Sequence, residues 1–159
     1  MPVRDALQRL VGERIAATGR MEGFTLPRFS EADLRDLYTW NRHLMIAALS
    51  GRSGDGIGDR PAMALQSLSY ADRIASLFSS IAHRSTNYEH RHAVASTSAR
   101  LHAARLAEPH VLPDVAVEAA ALETMLATGN LVELRHAVTA YHRRRLPWAA
   151  QILRRMEAP

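Results

Sequence analysis

Apolar residues recur at helical spacing from the first residues of the chain. Val3, Ala6, Leu7 and Leu10 follow Pro2 at three- and four-residue intervals until Gly12, so residues 2–11 read as a short amphipathic helix opened by a proline in its favoured first position. A helix of this length is not stable alone in water and needs a partner surface. The period then changes. Arg14-Ile15-Ala16-Ala17-Thr18 and Phe24-Thr25-Leu26 flank Gly19-Arg20-Met21-Glu22-Gly23, the pattern of two short strands around a glycine-bounded turn, and Pro27 closes the hairpin. Ser30 stands before Glu31, Ala32 and Asp33 as a helix N-cap, and the pattern is helical from there to the end. Leu34, Leu37, Tyr38, Asn41, Leu44, Met45 and Ala48 trace one face of a helix that stops at Ser50-Gly51. The glycine-rich stretch Gly51 to Arg60 reads as a flexible linker, and Pro61 opens a second helix running to about Ala82. A third covers about Asn87 to Leu106, and Pro109 and Pro113 bracket the loop after it. A fourth runs from about Asp114 to Ala127 and ends at Thr128-Gly129. Asn130 and Glu133 resemble a capping box opening a fifth, which Pro147 breaks before a terminal piece through Arg155.

Composition narrows the possibilities. At 159 residues, 47% hydrophobic and 23% charged, the chain has room for one folded domain with a small appendage and excludes a large multidomain enzyme. Cysteine is absent, which excludes a disulfide scaffold, a thiolate zinc site and a cysteine nucleophile. Any metal would have to use histidine and carboxylates. No apolar run reaches membrane-spanning length, and the start Met1-Pro2-Val3-Arg4-Asp5 lacks the apolar core of a signal peptide, so a cytoplasmic protein is expected. The formal charge is +4 and every basic residue is Arg, but these are spread along the chain and point only weakly to nucleic acid. The eight histidines are the richer signal.

The order of helix, hairpin and helical bundle, together with particular residues, resembles the GntR-type transcription regulators of the FadR subfamily. Met1-Pro2-Val3-Arg4-Asp5-Ala6-Leu7-Gln8-Arg9-Leu10 is similar to the family's recognition helix, T-P-V-R-E-A-L-R-R-L, and Gly19 through Phe24 to its glycine-containing wing. Phe29 through Tyr38 resembles the entry to the family's effector-binding bundle, the FCD domain. Ile81, Ala82, Ser85 and Asn87 sit like its I-A-x-x-S-x-N, and Thr128-Gly129-Asn130 like its A-G-D turn. The resemblance implies an all-α fold: an antiparallel FCD-like bundle at residues 29–159, preceded at residues 1–28 by a short helix and β-hairpin left from a winged helix. It begins in the middle of the family's DNA-binding unit, without the two helices that come ahead of the recognition helix, so the DNA-binding half is expected to be incomplete. Arg4, Gln8 and Arg9 are the residues that would meet DNA.

Many FCD domains hold a divalent metal with one Asp and three His, and the resemblance lets that set be tested position by position. Four residues beyond Asp72 stands Ser76 rather than His; aligned instead on Asn87, Phe78 takes that place. Val117-Glu118-Ala119-Ala120 stands where the family has Glu-His, and Tyr141 and His142 fall near its last His. No metal cofactor is therefore expected. Helical phase suggests a replacement. Asp72, Ser76, Ser79 and His83 form one stripe of the second helix, opposite Ile74, Leu77, Phe78 and Ile81. Tyr88, His92, Ala95, Ala99, His102 and Leu106 share a face of the third, with small residues between two imidazoles. With Tyr141 and His142 these would line a cavity for a small polar or carboxylate metabolite, unless the Asp-Ser-Ser-His stripe is simply a solvated helix face.

The leading expectation is thus a small-molecule-sensing regulator, a homodimer in which a second subunit covers the apolar face of residues 2–11. The alternative is a DNA-independent ligand-binding protein, or a metal-free acid–base enzyme using His102, His142, Tyr141 and Asp72. No nucleophile elbow, phosphate loop or metal motif favours the enzyme.

Overall fold

A computed structural model of the chain describes residues 2–18, 23–25, 27–51 and 68–158. The architecture is an all-α bundle preceded by a short helix and a small hairpin. Helix α1 (Pro2–Gly12) leads into β1 (Ala17–Thr18), which pairs antiparallel with β2 (Phe24–Thr25) in the register Ala17–Thr25 and Thr18–Phe24. The turn expected at Gly19 to Glu22 lies outside the described residues. No residue of α1 is buried, and Val3 is 70% exposed.

The bundle begins with α2 (Glu31–Ser50), where the Ser30 hydroxyl accepts from the Asp33 amide at 3.1 Å and the Asp33 carboxylate accepts from the Ser30 amide at 2.9 Å. This reciprocal pair satisfies two backbone donors at the helix start. The linker at 52–60 and the opening of the second helix at Pro61 lie outside the described residues; the helix is described as α3 (Tyr70–His83), capped by Ser69. Then follow α4 (Glu89–Ala107), a 3-10 turn (Glu108–His110), α5 (Val115–Thr128), α6 (Leu131–Arg145), a second 3-10 turn (Leu146–Trp148) and α7 (Ala149–Glu157). Asn130 caps α6 through the Glu133 amide at 3.2 Å, and Pro147 sits in the turn that separates α6 from α7.

Helix α2 is the central element, packed against α3, α4, α6 and α7, while α3 lies along α4 and α5 along α6. Two apolar clusters result. One joins Met45 and Ala48 of α2 to Ile74, Phe78 and Ile81 of α3, Leu122 of α5 and Val138 of α6. The other joins Leu34, Leu37 and Tyr38 of α2 to Leu101 and Ala104 of α4 and Ile152 of α7. Along α2 the buried Asn41 falls between them, and along α6 and its continuation Arg145 falls between Tyr141 and Ala149. The bundle therefore has a polar layer between two apolar ends. No helix among the described residues is long and apolar enough to cross a membrane.

Candidate functional site

The polar layer is built from helices far apart in sequence. Glu108, fully buried where α4 ends, accepts from the Tyr38 hydroxyl at 2.6 Å, the Tyr70 hydroxyl at 2.8 Å and Arg145 Nε at 2.8 Å. Glu118 on α5 accepts from Arg145 Nη2 at 2.8 Å and Nη1 at 3.2 Å. The Arg145 guanidinium lies 3.3 Å from the Tyr141 ring centroid and donates a further bond to the Tyr70 hydroxyl at 2.6 Å. Burial opposes the charge on Arg145, and Tyr141, Glu108 and Glu118 more than reverse that, so its pKa lies above the ordinary guanidinium value. Burial first and then the neighbouring Glu108 charge push the Tyr38 hydroxyl well up, and burial, with Tyr141 and Glu108, does the same to Tyr70. Both phenols stay protonated and serve Glu108 as donors.

Beside this paired centre lies a second cluster. The His142 ring stacks on Phe78 with centroids 5.4 Å apart, and Tyr141 meets the Phe78 edge at 5.2 Å. His142 Nδ1 lies 2.7 Å from the Val138 carbonyl and Nε2 lies 2.8 Å from the Asn41 side chain. Burial pulls the His142 pKa down to about 3 despite the Val138 contact, and Arg105, Arg145 and Arg42 depress it further. A neutral imidazole carries a single N–H, so its tautomer decides whether the Val138 carbonyl or Asn41 Oδ1 accepts from it. Arg105, completely buried, points Nη2 at the same Asn41 side chain at 3.5 Å and sets its guanidinium carbon 5.2 Å from the Phe78 centroid. Among the described residues its Nε and Nη1 have no hydrogen-bond partner, nor does the Tyr141 hydroxyl make a bond of ordinary geometry.

The residues singled out from sequence divide between three places. Tyr141 and His142 are in the interior just described. Ser76, Ser79 and His102 line an open groove of about 610 Å³ between α3 and α4, with Ala95, Ser98 and Ala99. Asp72 stands at the edge of α3 with its carboxylate 3.8 Å from His102 Nδ1. His83 is exposed and returns Nδ1 to the Ser79 carbonyl at 2.8 Å, and His92 is exposed. The Asp72–His102 pair thus lies on the outside of the bundle and the Tyr141–His142 pair inside it. On α4 the face carrying Tyr88, His92, Ala95, Ala99 and Leu106 is exposed; Val94, Ser98, Leu101 and Arg105 turn inward instead. Arg4, Gln8 and Arg9 are exposed on α1. A second groove, of about 660 Å³, runs between the hairpin base and the bundle and gathers Arg14, Arg28 and Arg100 beside Phe29 and Leu153. Among the described residues no group of three or more His, Asp or Glu side chains is placed to hold a metal ion.

Asn41, Glu108, Arg105 and Arg145 were not recognisable by residue type, since each belongs to a class usually found on surfaces. Their phase carried the signal. Asn41 shares the apolar face of α2, and Arg105 and Arg145 continue the buried series Val94, Ser98, Leu101 and Leu134, Val138, Tyr141 at four-, three- and four-residue steps.

No family model matches the sequence, and no curated protein matches it. Among solved structures, the chain resembles one described as a GntR transcriptional regulator from Rhodococcus sp. RHA1, with a TM-score of 0.56 and 25% identity over 95% of this chain and 78% of that one. The likeness supports a regulator of the GntR type.

Proposed function

We propose that this chain is a small-molecule-sensing transcription regulator of the GntR/FadR type, in which an FCD-like bundle at residues 29–159 binds a metabolite and residues 1–28 meet DNA. The observation that carries the reading is the condition of α1. It buries none of its residues, and it presents Arg4, Gln8 and Arg9 to solvent from a fold similar to a GntR regulator. An exposed helix carrying guanidinium and amide groups is suited to the major groove, where Arg and Gln recognise base edges. The apolar residues of α1, Val3 among them, favour a homodimer in which a second copy covers them. Within the bundle the candidate ligand positions are the groove of about 610 Å³ lined by Ser76, Ser79 and His102, with Asp72 at its edge, and the buried polar layer at Tyr141 and His142. Selection of binding sites from a random DNA pool, followed by fluorescence anisotropy on the recovered sequence, tests the reading. Recovery of a common half-site whose affinity falls steeply with salt supports it; no enrichment above the starting pool overturns it.

A further inference from the structure

The groove at the hairpin base gathers three arginines from distant parts of the chain: Arg14, which precedes β1, Arg28, which follows β2, and Arg100 on α4. Among the described residues none of their side chains makes a hydrogen bond or an ion pair. Arg100 Nε is closed to water and has no partner there. Burial first, and then the charge of Arg14, lower the Arg100 pKa against the pull of Asp33, so the guanidiniums act on one another. Neither nearby carboxylate closes an ion pair with them. Asp33 is held by the amide and hydroxyl of Ser30 at the start of α2, and Glu157 is exposed at the end of α7. The backbone of Arg14 is left-handed, with φ at 58°. The Ile15 amide donates to the Leu10 carbonyl at 2.9 Å and the Arg14 amide to that of Val11 at 3.0 Å, a helix end whose left-handed place glycine ordinarily takes. That strain is carried by a residue whose guanidinium lies at the groove instead of in a bond within the chain.

We propose that this groove binds a phosphate monoester with an apolar body, its phosphate held by Arg14, Arg28 and Arg100. Guanidinium forks match phosphate oxygens in charge and geometry, and a phosphate monoester, close to a dianion at neutral pH, answers three unpaired cations better than a single carboxylate does. Ile15, Phe29, Leu153 and Met156 line the same groove and offer the surface on which the apolar body rests. Its volume of about 660 Å³ lies in the range of small-molecule sites. A row of DNA phosphates would use the arginines and leave the apolar floor idle, which favours the small molecule. The site lies outside the bundle interior, against α4 and α7, and depends neither on the ligand positions within the bundle nor on the DNA contacts of α1. A phosphate that joins Arg14 and Arg28, at the two ends of the hairpin, to Arg100 of α4 fixes the hairpin against the bundle, and with it α1, which packs on β1. The arginines donate and the phosphate accepts; no bond is made or broken.

The test is isothermal titration calorimetry of the full chain in phosphate-free buffer with phenyl phosphate, inorganic phosphate and phenol, for the wild type, Arg14→Gly and Arg100→Gln. The wild type is expected to bind phenyl phosphate, to bind inorganic phosphate about tenfold or more weakly, and to give no measurable heat with phenol. Arg14→Gly places at the left-handed position the residue that adopts it freely, so its urea midpoint should equal or exceed that of the wild type while its affinity for phenyl phosphate falls about tenfold or more. Arg100→Gln should lose affinity to a similar extent. No binding of phenyl phosphate to the wild type overturns the proposal, as does an Arg14→Gly chain that binds as the wild type does. Equal affinity for inorganic and phenyl phosphate makes the groove a site for an anion alone and also overturns it. If phenyl phosphate does not bind and Arg14→Gly instead lowers DNA affinity and its salt slope, the groove is a DNA-backbone contact and the proposal falls. Saturating phenyl phosphate should also slow amide hydrogen exchange at residues 15–18; heat without any such slowing places the binding elsewhere and overturns it. The wild-type titration contains no DNA, so a failure here and a failure of the DNA-binding reading are told apart.

Discussion

Glu108 holds three donors at once, from Tyr38, Tyr70 and Arg145, in a site with no exposure. Changing it to Gln keeps the shape, removes the charge that pairs with Arg145 and turns one acceptor into a donor. Urea unfolding of Glu108→Gln is expected to show a loss of about 3–5 kcal/mol, as for a broken buried ion pair. Tyr38→Phe removes one bond to a charged acceptor and should cost about 1.5–3 kcal/mol. Equal losses in the two variants would mean that the charge on Glu108 contributes nothing beyond its hydrogen bonds. His142 makes a pH prediction. Its pKa falls from an ordinary 6.5 to about 3 on folding, so between those values the unfolded chain holds more protons. The contribution is whole above pH 6.5 and shrinks as pH drops toward 3, with a slope of up to about 1.4 kcal/mol per pH unit. The charges facing His142 come from Arg42 on α2, Arg105 on α4 and Arg145 on α6, and none is a carboxylate that would reverse the sign. Urea midpoints at pH 5 and 7.5 check it: the drop should be smaller in His142→Gln. Residue type alone located Tyr141 and His142 as polar tips of the last long helix, but not Arg105, because an isolated buried guanidinium violates the very rule by which sequence is read.

Helix boundaries were largely legible because they are written in local chemistry. Ser30 with Asp33 and Asn130 with Glu133 announce helix starts through hydrogen bonds that span three residues, and the structure contains both. Gly129 ends α5 with φ at 73°, a conformation that disfavours any residue with a β-carbon. Nothing lies within 4 Å of a Cβ placed there, so the cost of Gly129→Ala is backbone strain without a clash. It should be about 1–2 kcal/mol by urea unfolding. Asn130→Ala, which removes the acceptor for the Glu133 amide, should cost about 1 kcal/mol, and Asn130→Asp should restore most of it. The facing of α4 was less legible. Both of its sides carry small residues and histidines, and the periodic signal is weak where Ala and Ser fill the core. Neighbours decide its rotation: α3 and α2 take Val94, Leu101 and Arg105 inward and leave His92 and Ala95 out.

At the scale of the molecule, the all-α class and the preceding hairpin follow from the change of period near Pro27, whereas the polar layer does not. It depends on which helices become neighbours: Glu108 and Tyr38 are 70 residues apart, and His142 and Asn41 are 101 apart. No local pattern records pairings of that span. The same division between local and distant packing separates α1 from the bundle. Helix α1 packs chiefly on β1, and it supplies no buried residue to either apolar cluster. Surface substitutions away from packed or capped positions change stability by about 0.5 kcal/mol or less. The double variant Arg4→Ala, Arg9→Ala should therefore leave the urea midpoint of the bundle where it was. If these arginines neutralise phosphates, each one removed takes roughly 0.9 from the slope of log affinity against log salt, so the double variant should lower the slope by about 1.8 and weaken DNA binding most at low salt. If they meet base edges instead, affinity for the selected site should fall while the salt slope and nonspecific binding hold. A double variant with unaltered DNA affinity, slope and sequence preference removes α1 from the DNA interface. The Arg14, Arg28 and Arg100 groove at the hairpin base would then be the next surface to test.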